Sequence, residues 1–314
     1  MPTAVRRSSP WILLLLLAGA VALAGCDTTA PQPERQVVVE AYLKAGAPLS
    51  TIRLSRAVGV DQPYQPEASA VEGADVAVQR LAADSTVRRT IPYTPSPETT
   101  GLYLPTRQPT IEPGGLYRLR VETPDGTRLR ASTEVPGPVS VVRAENDTSV
   151  YQSDRQPSLT VEGGLQETTG QQSVFVFTAT SQLDFENTPE EDLRRQLTPF
   201  YADSYDPEED SIDTFRVTSS GLLNEGNFNR NDDGTLTVNL PWIAVAFYGP
   251  NAIALNVVDD NLYDVLRTQG VQQGGLAPGE IPNIIDPIEG GAGIFGSYAE
   301  ARQIIEVQPP ESRP

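Results

Sequence analysis

The sequence predicts a mainly β protein, built as a β-sandwich followed by a second β-rich domain with one or two short helices. Three observations carry this. Apolar residues recur with a period of two over short runs, clusters of Pro, Gly and Asp separate those runs, and only two stretches have the length and end signals of a helix.

The chain opens with Arg6 and Arg7, an apolar run over 11–23, and then Ala24 and Gly25 before Cys26. This is the three-part plan of a secretory signal. The run is short for a bilayer span, which wants ~20 apolar residues. Leu23-Ala24-Gly25-Cys26 resembles the lipobox of bacterial lipoproteins, in which the signal is cut before the cysteine and the thiol is diacylated. Residues 1–25 are therefore expected to be a lipoprotein signal peptide and Cys26 the lipidation site, with several acyl chains making the anchor effectively permanent. Residues 26–36, "CDTTAPQPERQ", read as a polar tether.

From residue 37 the pattern turns to strands. "VVVEAYL" (37–43), "STIRLSRAV" (50–58) and "ADVAVQRLA" (74–82) are β-rich runs, with Ile52 and Leu54 alternating against Arg53 and Ser55. In "GLYRLRVETPDGTRLRAST", Tyr117, Leu119 and Val121 point one way and Arg118, Arg120 and Glu122 the other. Pro124-Asp125-Gly126 then turns the chain, and Leu129 and Ala131 resume the alternation. Residues 37–136 are thus expected to form an immunoglobulin-like or transthyretin-like β-sandwich, ending where Pro136, Gly137 and Pro138 break the pattern.

The second β-rich domain is expected over 139–307, and a frayed tail over 308–314. "SVFVFTAT", "DTFRVTSS", "GTLTVNL", "WIAVAFYG" and "AIALNVV" read as strands. "TPEEDLRRQL" reads as a short helix with Thr188 as N-cap, Pro189 in the first turn and acids beside the helix dipole. "YADSYDPEEDSID" is an acidic loop, and "DDNLYDVLRTQG" has helical length and a Gly terminator.

Composition limits the chemistry. The chain has 23 basic and 41 acidic residues and no histidine. Loss of Arg6 and Arg7 with the signal leaves 21 basic residues and a net charge of −20, which disfavours nucleic acid and anionic headgroups. Without histidine there is no Ser-His-Asp or Cys-His system, no imidazole base and no His-ligated zinc. Cys26 is the only cysteine, so no internal disulfide forms. No cofactor, metal or catalytic residue is expected.

Three apparent motifs have simpler readings. Gly291, Gly293 and Gly296 fit G-x-G-x-x-G, but no helix or acidic partner follows at the required distance, so they read as a glycine-rich turn entering a terminal strand. Asn229, Asn231 and Asp233 before Gly234 resemble the start of a calcium loop, yet Leu240 stands where the bidentate Glu belongs; a polar hairpin turn explains them. The acids over 184–213, including Glu190, Glu191, Glu208, Glu209 and Asp210, read as a solvated face, with cation binding or a basic partner as the sharper alternative.

"VVVEAYLKAGAPLSTIRLSRAV", "GADVAVQRL", "GGLYRLRVETPDGTRLRASTEVP" and above all "NIIDPIEGGAGIFGSYAEAR" resemble the lipoprotein family of Bacteroidota catalogued as domain of unknown function 4249. The resemblance implies an outer-membrane lipoprotein, facing the periplasm or the cell surface, whose genes often lie beside those for TonB-dependent outer-membrane receptors; such a receptor is its expected partner. It implies no catalytic residues. The expectation is a non-enzymatic accessory or ligand-binding protein, with Tyr201, Tyr205 and Trp242 as candidate contact residues. A structural or adhesive envelope protein is the alternative, and a carboxylate-based glycan hydrolase a third reading.

Overall fold

A computed structural model describes residues 36–59, 63–163, 173–270 and 287–310. In the N-terminal half, seven strands follow one another: β1 (Val37–Lys44), β2 (Ile52–Arg56), β3 (Asp75–Leu81), β4 (Val87–Pro95), β5 (Leu102–Pro105), β6 (Leu116–Glu122) and β7 (Arg128–Glu134). The remainder holds β8 (Val139–Glu145), β9 (Thr148–Val150), β10 (Ser158–Gly163), β11 (Val174–Ser181), helices α1 (Glu190–Arg194) and α2 (Pro199–Ser204), β12 (Val217–Asn224), β13 (Asn229–Arg230), β14 (Leu236–Asn239), β15 (Gly249–Val258), α3 (Asp260–Gly270) and β16 (Ala292–Gln308). The protein is mainly β, with few and short helices, as its sequence predicts.

One sheet runs in the order β12-β11-β15-β16-β1-β2-β5-β4-β3-β6-β7, with β9 beside β16; a second sheet runs β13-β14-β10-β8. The N-terminal strands curl around a single core. Val39, Leu54, Val76, Val78, Tyr103, Leu119 and Phe295 all lie within it, each almost fully buried. The far edge of the curl returns to the chain entering β16, where Arg130 on β7 bridges Glu289. Inside, the Tyr103 hydroxyl donates to the Val71 carbonyl at 2.9 Å and accepts the Ala74 N–H at 3.1 Å. Replacing Tyr103 by Phe strands both main-chain groups, and an expected loss of about 1–2 kcal/mol can be read from urea unfolding.

The predicted hairpin is present in detail. Tyr117, Leu119, Val121, Leu129 and Ala131 are buried and Arg120 and Arg130 face out. Asp125 holds the turn by accepting from the Thr123 hydroxyl and the Thr127 N–H; those bonds and Arg56 keep its carboxyl well below the usual range.

The seventeen-residue β16 belongs to both halves. Its first part pairs parallel with β1, from Val38 opposite Ala292 to Lys44 opposite Tyr298. From Tyr298 to Val307 it pairs antiparallel with β15. Phe295 therefore enters the N-terminal core while Ile305 and Val307 enter the second core with Leu159, Phe175 and Leu255. Lys44, the only lysine of the chain, ends β1 and reaches Glu300 on β16 at 2.7 Å. The break at Pro136 to Pro138 lies between β7 and β8, but the main sheet continues across it through β16, and the described residues from Val37 onward form one unit.

Two segments read as strands are built otherwise. "DTFRVTSS" begins as a 3-10 helix over Ile212–Arg216 before β12 starts. "WIAVAFYG" starts with a 3-10 turn over Trp242–Ala244 and then runs irregularly, because its apolar residues serve two cores: Val245 and Tyr248 one, Ala246 and Phe247 the other. Helix α1 starts one residue later than expected, with Pro189 as N-cap and Thr188 bonded through its N–H to Asp184.

Candidate functional site

The acidic stretch folds as a small helical insertion packed on its own apolar cluster. Leu193, Leu197, Ile212, Ala246 and Phe247 form its centre, with Phe185, Tyr201, Tyr205 and Phe215 around them. Edge-on ring contacts tie these together: Phe185 with Phe247 at 5.2 Å, Tyr201 with Phe215 at 5.7 Å, and Tyr205 with Phe215 at 5.8 Å. Arg216 lies over Phe185 and Arg194 over Tyr205.

Glu190, Glu191, Glu208 and Glu209 are all exposed on this insertion. Glu190 accepts from the Tyr205 hydroxyl, and that bond is the main reason the hydroxyl is held above its ordinary pKa. Glu191 and Asp192 pair with Arg195. Asp210 accepts the Asp206 N–H at 3.0 Å. The acids thus cap turns and pair locally rather than face one another across a cleft. Among the described residues, no group of three or more carboxylates is placed to hold a metal ion.

The three aromatic residues singled out by sequence fall in one corner. The Tyr201 hydroxyl donates to the Ile243 carbonyl at 2.9 Å, and burial followed by proximity to Tyr151 raises its pKa. Trp242 is half-buried against Tyr151, 5.5 Å between rings. Tyr205 stands behind, on Phe215. What sequence reasoning missed is the exposed apolar material beside them: Phe200, Ile243 and Val217 are 50%, 48% and 52% exposed. Phe200 meets Tyr201 ring to ring at 5.1 Å, and Thr218, next to Val217, donates to the Ala244 carbonyl. The result is an aromatic and aliphatic corner with acids on its rim. Exposed large apolar groups gathered in this way mark contact surfaces.

A second polar centre lies at the junction of the two halves. Asp259, 4% exposed, accepts from the Thr133 hydroxyl of β7 and from the Leu262 N–H at 2.9 Å. Thr133 and Ser297 of β16 are 2.6 Å apart through their hydroxyls. Burial raises the Asp259 pKa against the lowering effect of these bonds. Its place before α3 makes it the N-cap, and Asn261 beside it donates to the Ser132 and Phe295 carbonyls at 2.7 and 2.9 Å. This is a lock between β7, β16 and α3. An Asp ahead of the apolar pattern was its signal in the sequence.

The apparent motifs resolve structurally. Gly293 sits where β16 meets β1: a Cβ there would lie 2.1 Å from the Val39 carbonyl oxygen. A Cβ on Gly296 would touch the Leu262 Cβ of α3 at 3.2 Å. The G-x-G-x-x-G pattern thus serves close packing at a strand entry. Asn231 and Asp233 order the β13–β14 hairpin turn, Asp233 accepting from the Thr235 N–H and hydroxyl. The expected signal peptide over 1–25, Cys26, the tether as far as residue 35, residues 311–314 of the expected tail and the first part of the C-terminal "NIIDPIEGG" run lie outside the described residues. No described helix is long and apolar enough to cross a membrane.

Among solved structures, the chain is similar to trypsin-activated alpha-2-macroglobulin from Escherichia coli, at 11% identity and a TM-score of 0.21, over 73% of this chain and 15% of that one. It is also similar to Salmonella alpha-2-macroglobulin reacted with methylamine, at 13% identity and a TM-score of 0.22, over 86% of this chain and 14% of that one. The chain spans about a seventh of these proteins, and likenesses this distant carry no argument. No curated protein matches. Residues 26–304 match the family model described as Domain of unknown function (DUF4249), which takes in the strands of both cores and the glycine run beside β1; the chain belongs to that family.

Proposed function

We propose that this protein is a non-enzymatic, lipid-anchored outer-membrane accessory that docks on a TonB-dependent receptor through the corner formed by Phe200, Tyr201 and Ile243. The observation that carries the reading is that corner: two large apolar side chains about half exposed, on a rim of acids, in a chain of net charge −18. Such a surface suits a partner that offers apolar contacts flanked by arginine or lysine. The lipobox-like run at Cys26 supplies the membrane tether and leaves the folded part free to reach a membrane neighbour. The scattered, locally paired glutamates give the hydrolase reading no support.

The test is affinity purification of the lipidated protein from its own outer membrane, followed by mass spectrometry. A TonB-dependent receptor is expected at near-equal amounts. In the variant F200S/I243S recovery should fall at least tenfold with the unfolding midpoint nearly unchanged, since half-exposed groups add little to the core. A wild-type protein that emerges alone would favour the adhesive or structural role instead.

A further inference from the structure

An acidic protein has reason to keep its arginines paired. Among the described residues many of them are: Arg56 with Asp125, Arg120 with Asp75, Arg128 with Glu122 and Arg195 with Glu191. One concave site on the N-terminal half gathers two adjacent arginines that are not. A cavity of 240 Å³ is lined by Arg80, Arg88, Arg89, Tyr117, Glu112 and Ile91, among others.

The ladder that builds this site is unfavourable by itself. Arg80 on β3 and Arg89 on β4 are direct partners in the antiparallel register, and like charges placed so repel. The register then shifts, with Leu81 opposite Val87, so Arg88 is the extra residue of a β-bulge. Bulges of this kind re-aim side chains and gather at functional sites. Two adjacent arginines thereby reach a cavity that a regular strand would present to only one of them.

The wall is fixed while the two added cations are not. Arg80 gives Nη2 and Nε to Glu112 at 2.9 and 3.3 Å, Nη1 to the Leu116 carbonyl at 3.2 Å, and lies 5.3 Å from the centre of the Tyr117 ring. The Tyr117 hydroxyl in turn accepts the Glu112 N–H at 3.0 Å. Among the described residues Arg88 and Arg89 make no ion pair and no side-chain hydrogen bond; Asp84 feels Arg88 only through space. Glu112 is the one carboxylate on the lining, so with three guanidinium groups the lining itself carries a net charge of +2, with Asp84 near Arg88 outside it.

We propose that this cavity binds a doubly charged phosphate-type oxyanion, with Arg88 and Arg89 as its fork-shaped donors. Guanidinium groups match the oxygens of such an anion two at a time. The volume lies just below the range of about 300–1,000 Å³ typical of drug-sized ligands, so the site takes a small ester or one head of a larger molecule. The acids elsewhere on the chain do not forbid this: at physiological salt the screening length is about 8 Å, while the arginines act at contact.

The experiment uses the full-length protein in detergent, with phenyl phosphate as probe and phenol as its uncharged control, followed by titration calorimetry and thermal unfolding. Phenyl phosphate is expected to bind at one site and raise the unfolding temperature; phenol is not. In R88Q/R89Q binding should weaken at least tenfold, while the ligand-free protein unfolds at the same or a higher temperature because the repulsion is gone. Binding undiminished in the variant, no binding to wild type at millimolar phenyl phosphate, or a variant that unfolds at lower temperature without ligand would each overturn the assignment. Co-sedimentation with phosphatidic acid vesicles separates the sources. Arginine-dependent binding that phenyl phosphate displaces identifies a lipid headgroup; binding to phenyl phosphate without vesicle binding identifies a soluble ester.

Discussion

Gly293→Ala is expected to cost about 2–5 kcal/mol and to release β16 from β1. Two penalties add. The backbone at Gly293 has φ +106°, a region that L side chains avoid at a cost of about 1–2 kcal/mol. The new Cβ would stand 2.1 Å from the Val39 carbonyl oxygen, 2.8 Å from its nitrogen and 3.0 Å from its carbonyl carbon, all main-chain atoms of a paired strand that cannot turn aside. Overpacking of a rigid wall adds about 1–3 kcal/mol. Since a whole domain is stable by only about 5–15 kcal/mol, the variant should show a sharply lower urea midpoint and reduced soluble yield. Gly126→Ala is the control. It shares a positive φ of +86° but has nothing within 4 Å of the added carbon, so it should lose only about 1 kcal/mol. Equal losses in the two variants would mean that the close approach of β16 to β1 is not what fixes glycine there.

The same contrast explains what could be read from the sequence. The β6–β7 hairpin was legible because both its signals are local: alternation along each strand and Pro124-Asp125-Gly126 between them. The β1–β16 pair was not, since its partners lie at opposite ends of the described chain and no local pattern names a distant neighbour. Strand β4, "VRRTIPYTP", was missed because it begins with exposed Val87, Arg88 and Arg89 and carries two prolines, so only Ile91 and Tyr93 declare an inner face. Those concealing arginines are also the ones that line the cavity. "WIAVAFYG" misled in the other direction. It has the apolar density of a strand, but its main-chain groups bond to the helical insertion, Thr198 N–H to the Ala246 carbonyl and Tyr248 N–H to the Gln196 carbonyl. At the candidate contact corner the sequence pointed to Tyr201, Tyr205 and Trp242, while exposure of Phe200 and Ile243 depended on which way a short helix and a turn face.

Asp259→Ala is expected to cost about 2–4 kcal/mol, and the reason differs from that at Gly293. Alanine removes the N-cap of α3, worth about 1 kcal/mol. It also empties a buried site, where Thr133, Asp259 and Ser297 are 3%, 4% and 0% exposed, of the side chain that accepts from the Thr133 hydroxyl; the lost hydrogen bond and the cavity left behind together cost about 1–3 kcal/mol. Asp259→Asn keeps an oxygen for the Leu262 N–H and lets Thr133 turn its proton toward Ser297, so its loss at neutral pH should be under about 1 kcal/mol. The pair separates hydrogen bonding from charge, and pH completes the separation. Burial raises the folded pKa of Asp259 above its unfolded value near 3.9, so the native protein holds this proton more tightly than the unfolded chain does. Its contribution is therefore fully present below the unfolded pKa and is lost as pH rises through the folded one. The amide side chain of the D259N variant does not titrate, and the other acids are common to both proteins, so their effects cancel in the difference. Urea unfolding at pH 7 and pH 4 should thus find the wild type gaining on D259N at the lower pH. A gain at the higher pH instead would mean that the charged carboxylate, held by the helix end and the two hydroxyls, is the form the junction stabilises.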